Sequence, residues 1–389
     1  MSDIRLLVNG REYGGWTSAR VTRGIEAVAG SFALDVSERW DGQAEPWPIQ
    51  EEDECEVRLE GTTLLKGYVD TRSHAFDATS HSLSVEGRDK TGALVDCSAL
   101  LSQWEFSKIG VLELCQTVAA PFDITVSLQD GLSDTAITTS GASTSRRLTS
   151  GTPGSVGSKG KSSSMKLGQP VVKLTINPGD SPFEVIDRAC RMVGVLPVSD
   201  GNGGLLLTRA GGSRATTALI EGGNILTASA TFDATRRYRR YIVSGQAAGT
   251  DDLFGAPAAA VKAEATDENV RRTERVLLIR PEGSVTLEFA KQRAAWEATV
   301  RRARAASFDI TVQGWRQASG ALWPINALVQ VKSTKLAIDL EEMLITQTTF
   351  GLSKAGSTTT LKVVLPNSFI PEPVIVKSGG AGGADSRLS

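Results

Sequence analysis

The sequence predicts a mainly β protein that carries a smaller α+β part between two β regions. Short alternating runs separated by turn residues fill residues 1–97 and return over 214–375, at spacings that suit an antiparallel barrel or sandwich. Between 98 and 213 the apolar period twice switches from two residues to that of a helix. At 389 residues the chain has room for two or three domains, each with its own core.

The first β region reads as "IRLLVNGREYGGW", "ARVTRGIEAVAGSFALDVSERW" and "DECEVRLEGTTLLKGYVDTRSHAFDATSHSLSVEGRDK". Asn9-Gly10 between two β runs predicts a hairpin, because a type I′ turn needs positive φ at both central residues. The strand "HSLSVEGRD" then turns through Lys90-Thr91-Gly92 into "ALVDCS", a junction that closes the first region.

Residues 98–213 are expected to form the α+β domain. Val111, Leu114, Cys115 and Val118 share one face of a helix that Pro121 stops, and a strand follows. A second helix has Asp180 or Ser181 as N-cap, Pro182 at its first position and Gly194 as its stop. Phe183, Val185, Ile186, Ala189, Cys190 and Val193 give that helix its apolar face, and a hairpin around Asp200-Gly201-Asn202-Gly203 comes next. Between the two helical units lies a Ser/Gly/Thr-rich insert at 129–168, too polar to offset its own ordering entropy and so expected to be a flexible loop.

The second β region, 214–375, contains one long helix near 284–305. Ser284 is its expected cap, and Phe289, Trp296, Val300 and Ala303 fall on one face. Glu297 stands four residues before Arg301, the spacing of a helical ion pair. Residues 376–389 are expected to be a disordered tail.

The chemical motifs fail one by one. Lys90-Thr91-Gly92 resembles the triplet that holds a substrate carboxylate in serine β-lactamases, but those enzymes also need Ser-x-x-Lys upstream and Ser-Asp-Asn between. Here Ser163-x-x-Lys166 lies downstream, and Ser133-Asp134 and Ser199-Asp200 continue with Thr135 and Gly201. A phosphate-binding loop needs G-x-x-x-x-G-K-[ST], which is absent. Glu51-Glu52 and Glu341-Glu342 sit beside turns as solvated pairs without a pocket. His74 and His81 lack a third ligand, and Cys55, Cys97, Cys115 and Cys190 are too scattered for a metal or dithiol site. Catalytic, cofactor-binding and metal-ligating residues are therefore expected to be none. A formal net charge of −2 gives no whole-molecule attraction to nucleic acid, and Arg236–Tyr241, "RRYRRY", reads as a short mixed strand making intersubunit or surface salt bridges. No signal peptide and no 18-residue apolar span is visible, so synthesis in a cytoplasm and no stable membrane insertion are expected.

"VNGREYGGWTSARVTRGIEAVAGSFALDVSERW", "WPI", "GYVD" and "SVEGRDKTGALVDCS" resemble the baseplate hub proteins of Mu-like contractile-tailed phages. So do "PGDSPFEVIDRACRMVGVLPVSDGNGGLLLTRAG", "RAAWEATVRRARA" and "VQGWRQASGALWPINALVQV". Relatives of that family are the hub of T4-like baseplates and the N-terminal part of type VI secretion spike proteins. The resemblance covers 1–128 and 169–370, and the insert departs from it. It implies a homotrimer with two tube-like antiparallel β-barrel domains per subunit, forming a ring between the hexameric tail tube and the trimeric central spike. Tail tube protein, spike protein and other baseplate proteins are the implied partners, with genomic DNA passing through the channel without sequence-specific binding. The implied location is the virion tail baseplate, after assembly in the bacterial host cytoplasm. No catalytic residue comes with the resemblance. Trp16, Trp40, Trp47, Trp315 and Trp323 are either interface anchors or core residues on this reading. The alternative is a trimeric receptor- or carbohydrate-binding tail protein, which needs loop-borne aromatic platforms that an aromatic content of 6% scarcely supplies.

Overall fold

A computed structural model describes residues 3–37, 48–76, 81–106, 109–133, 165–166, 174–246, 260–281 and 285–373. Most of the 129–168 insert, the 376–389 tail, Trp40 and Trp47 lie outside them. At the margins of the insert, Leu132–Ser133 pairs in parallel with Met165–Lys166.

The first β region forms seven strands, β1 (Ile4–Val8), β2 (Arg11–Tyr13), β3 (Ser18–Gly24), β4 (Ser31–Ser37), β5 (Glu54–Leu59), β6 (Thr62–Phe76) and β7 (His81–Asp89). Alternation places Ile4, Leu6 and Val8 inside, and Asn9 and Gly10 take φ of 50° and 76°, the predicted I′ turn. β7 ends in a 3-10 turn over Lys90–Gly92 and a helical turn over Ala93–Asp96.

The α+β part follows as α1 (Val111–Ala119), β8 (Val126–Leu128), α2 (Pro182–Val193), β9 (Leu196–Ser199) and β10 (Leu205–Thr208). Of the two candidate caps, Ser181 is the one used: its hydroxyl accepts from the Glu184 amide at 3.2 Å, and the Glu184 carboxylate accepts from the Ser181 amide at 2.8 Å. Gly194, at φ of 66°, ends the helix as expected. β9 and β10 form the predicted hairpin, β8 adds to β10 in parallel, and α1 and α2 bury Leu114, Cys115, Val118, Val185, Ile186 and Cys190 with this sheet.

The second β region contributes β11 (Ile225–Phe232), β12 (Arg240–Gln246), β13 (Ala260–Thr266), β14 (Val276–Ile279), α3 (Leu287–Arg304), β15 (Ala306–Gln313), β16 (Ala327–Ser333), β17 (Ile338–Ser353) and β18 (Gly356–Val364). The described chain divides into two compact units. One spans the residues up to Arg236 together with Val300–Pro371; the other spans Arg237–Thr299 with Glu372 and Pro373. In the second, β12 pairs with β13 and β14, and Val243, Val261 and Val285 pack with Ala290 and Ala294 of α3.

One helix detail differs from expectation. Thr286 caps α3, its hydroxyl accepting from the Phe289 amide at 3.1 Å, while Ser284 lies outside the described residues. Glu297 pairs with Arg293, one turn before it, at 3.0 Å. Arg293 also stacks 5.0 Å over Trp296, so the aromatic there is half-buried under a guanidinium while alanines fill the inner stripe.

The expected pair of closed β-barrels is not what the described residues form. Both β regions of the first unit join one sheet, ordered β11–β15–β18–β17–β3–β4–β7–β6–β5–β1–β2, with β16 also on β17. The junction is the antiparallel pair β17–β3, running from Gln347 opposite Gly24 to Leu352 opposite Ala19. That pairing gives the backbone groups of β3 and of the last half of β17 partners in each other, so neither edge needs its own barrel to close.

The two halves of this sheet repeat one topology. In β3–β4–β7–β6 and again in β11–β15–β18–β17 the spatial order is first, second, fourth, third in sequence. Each third strand is long, 15 residues in β6 and 16 in β17, and each carries one irregularity against its hairpin partner. In β6 the pairing steps from Val69 to Thr71, and in β17 from Ile345 to Gln347. Each third strand also takes an extra partner along its first half, β5 on β6 and β16 on β17.

Candidate assembly interface

The residues singled out for chemistry have structural work. Thr91 of the Lys90-Thr91-Gly92 triplet is fully buried, donating its hydroxyl to Val28 O at 3.1 Å. Asp89 caps the turn, accepting from the Thr91 amide at 2.9 Å and the Gly30 amide at 2.6 Å. Burial raises the Asp89 carboxyl above the usual range, against the hydrogen bonds from Thr91 and Gly30. Lys90 reaches Asp123 at 2.7 Å, and Asp96 is held by Arg88 at 2.6 Å.

A groove of about 520 Å³ beside this turn is lined by Tyr68, Asp70, Arg88, Asp89 and Asp96, among others. The Arg88 guanidinium bridges Asp70, at 2.8 Å, and Asp96. Its hydrogen bonds hold the Asp96 carboxyl below the usual carboxylate range, which suits an ion pair and not a proton donor. Glu51 and Glu342 are likewise paired, with Arg72 and Arg214. Among the described residues no group of three or more His, Cys, Asp or Glu is placed to hold a metal, and no helix is long and apolar enough to cross a membrane.

"RRYRRY" is a turn that enters β12 at Arg240, not a strand throughout. Its salt bridges lie within the chain: Arg237 to the buried Asp267 at 2.7 Å, Arg239 to Glu268 and Arg240 to Glu264. These contacts engage three of the four arginines that a phosphate backbone would need. Trp16, Trp315 and Trp323 are buried in the core, so the core reading holds for all three.

Strand surface is exposed at three places. The outer face of the β17–β3 junction is polar, with Thr22 and Thr349 hydroxyls 3.1 Å apart and Thr311 and Thr360 hydroxyls 3.0 Å apart farther along. A groove of about 460 Å³ crosses it, lined by Ser18, Arg20, Asp35, Thr349, Thr358 and Thr360, among others. At one end of the eight-strand run, β5 covers β6 only as far as Tyr68, and Phe76 near the strand's tip is 80% exposed. At the other end is β11, eight residues without one charge, with Leu226 53% and Phe232 71% exposed. A long uncharged edge strand lacks the devices that keep edges from pairing with another chain. The sequence places "ILTASATF" within the second β region but holds no signal that it would be terminal in the sheet.

Comparison with known proteins bears on such a molecule. Residues 3–89 match the family model for the N-terminal part of Mu phage baseplate assembly protein GpP-like proteins. Residues 91–141 and 162–209 match the second domain of baseplate hub protein gp44-like proteins, and 286–372 match the fourth domain of Mu phage baseplate assembly protein GpP. Baseplate hub protein gp44 of Escherichia phage Mu is 29% identical over 388 residues, spanning 99% of this chain and 93% of that protein. The 43 kDa tail protein of prophage MuSo2 from Shewanella oneidensis is 29% identical and superposes with a TM-score of 0.77 over 95% of this chain and 100% of its own. The E. coli c3393 protein, described as a type VI secretion component similar to T4 tail proteins gp27 and gp5, shares the fold at a TM-score of 0.50 and 8% identity. It is aligned over 95% of this chain and 79% of its own.

Proposed function

We propose that this chain, which belongs to the Mu-type baseplate hub family of phage tail structural proteins, forms a three-copy ring that joins the hexameric tail tube to the trimeric central spike. Baseplate membership makes it a virion tail component and a structural protein rather than an enzyme. The observation that carries the finer reading is the internal repeat. One chain holds two four-stranded units of the same topology, side by side in one sheet. Three such chains offer six similar units toward a six-fold tube while remaining three-fold toward a spike, which is how a closed ring can resolve that mismatch.

In this reading residues 1–97 and 214–375 supply the two tube-like units, and 98–213 the part that receives the spike. The polar, hydroxyl-rich outer face is the side that suits a water-filled channel for DNA, since threonines offer no dense cationic surface to hold a polyanion. Tail tube protein, spike protein and other baseplate proteins are the partners, and assembly takes place in the host cytoplasm. A receptor- or carbohydrate-binding role is less well supported, because Trp16, Trp315 and Trp323 are buried and form no platform.

Native mass measurement of the purified protein, alone and with its spike, tests the proposal. A species three times the 41.2 kDa chain that takes up a spike trimer is the expected result. A stable monomer that ignores the spike would overturn it.

A further inference from the structure

We infer that neighbouring copies join by antiparallel pairing of β6 of one chain with β11 of the next, in the register Arg72 opposite Phe232, Ser73 opposite Thr231, His74 opposite Ala230, Ala75 opposite Ser229 and Phe76 opposite Ala228. The inference rests on the three-copy reading and specifies the contact by which it is made.

The register comes from the repeat, because the chain contains one copy of the same joint. The irregularities align Thr71–Phe76 of β6 with Gln347–Leu352 of β17, since Thr71 pairs with Glu86 as Gln347 pairs with Lys362. The first strands align through their neighbours: Arg88 faces Ser31, which faces Thr22, and Val364 faces Ser307, which faces Thr231. Ala19–Gly24 of β3 therefore corresponds to Ala228–Asp233. Within the chain the end of β17 is paired with β3; the corresponding end of β6 extends beyond the reach of β5, and β11 has only β15 as a strand partner among the described residues. These two strands stand at opposite ends of an eight-strand run, seven steps of about 4.8 Å apart along the sheet, so a second copy supplies the match.

Side-chain chemistry agrees with the register. At the joint inside the chain Thr349 and Thr22 meet hydroxyl to hydroxyl at 3.1 Å, and the corresponding residues Ser73 and Thr231 are again two hydroxyls. Phe350, Thr348, Val21 and Ala19 face the core there, buried. Their face corresponds to that of His74, Arg72, Phe76, Ala230, Ala228 and Phe232. Phe76 and Phe232, 80% and 71% exposed in one chain, thus lie on the side that the joint would turn inward. Ala230 already packs at the margin of the core, and the Phe232 ring stands edge-on to Phe308 with centroids 5.9 Å apart.

The test is a pair of cysteines in the full chain, Ser73→Cys with Thr231→Cys, in a Cys97→Ser background that removes the exposed native thiol. Directly opposed strand residues fall within disulfide range, whereas a pair shifted by two does not. Mild oxidation is expected to convert most of the protein into covalent dimers and trimers on a non-reducing gel. The control, Ala75→Cys with Thr231→Cys, is expected to yield at least tenfold less. A charge at the edge, Phe232→Asp, is expected to shift the native mass from trimer toward monomer without changing the circular dichroism of the chain. A trimer by mass that fails to link through 73 and 231, or links equally through the control, overturns the register and leaves the hub ring standing. A monomer overturns both.

Discussion

Replacing Phe350 by alanine removes a large side chain from the place where the two repeats meet. Phe350 is 2% exposed and lies opposite Val21 on β3 and Thr359 on β18, both fully buried. With backbone ladders on both sides the site has little freedom to collapse, so the loss is ~3–5 kcal/mol. For a unit of this size each kcal/mol lowers the midpoint by about 2 °C, which makes the expected shift ~6–10 °C. Calorimetry at fixed protein concentration is the assay, because association would otherwise move the midpoint by mass action. Thr349→Val, on the outer face of the same strand, loses one hydroxyl pair with Thr22 and is expected to cost no more than about 1 kcal/mol. A shift below 2 °C for Phe350→Ala, or an equal loss for Thr349→Val, would refute the claim that the joint is sealed from its inner face.

A Cβ added at Gly87 would lie 2.1 Å from Tyr68 O and 2.6 Å from the Phe32 ring, so Gly87→Ala is expected to abolish soluble expression; wild-type yield would show that β7 has slack. Ser181→Ala is expected to lower urea stability by about 1 kcal/mol through loss of the α2 capping box, and an unchanged midpoint would remove the cap from the account. Arg188 holds the Asp180 carboxyl below the usual range, so its stabilisation is present above the unfolded value of about 3.9 and fades as pH falls through the folded one. The urea-midpoint gap between wild type and Asp180→Asn should therefore be wider at pH 7 than at pH 3, and a constant gap would contradict this. Burial pushes the Cys55 thiol up to about 12, and Cys190 is raised by Cys115, whose sulfur is 4.0 Å away, and by burial. Iodoacetamide at pH 8 should modify Cys97 alone in the native protein, as mass spectrometry would reveal.

Local features were legible in the sequence because their causes are local. Asn9-Gly10, the caps at Ser181 and Gly194, and the apolar face of α1 each rest on a few adjacent residues. The α3 cap was not read from the sequence because two hydroxyl residues two positions apart, Ser284 and Thr286, offer competing local solutions. The role of Lys90-Thr91-Gly92 as a turn after β7 was also legible, from the end of the alternating strand before it. The joint between β3 and β17 was not. Thr22 and Thr349 are 327 positions apart, and no turn residue or spacing points from one to the other. The repeat was hidden for a related reason: it preserves strand order and the positions of the irregularities, while the side chains have diverged, as Arg23 against Phe232 illustrates. Which charged residues pair was likewise decided by the fold, as Lys90 finding Asp123 makes plain.

The long third strands have a mechanical consequence. β17 runs 16 residues, flanked along its first half by β16 and along its second by β3, with β18 on the opposite side throughout most of its length. Tension along its axis would load these ladders in shear, so many bonds must fail together, whereas a strand peeled from an edge loses them singly. A strand clasped in this way behaves as a tendon: it can carry a pull from one repeat into the next without unravelling at either end.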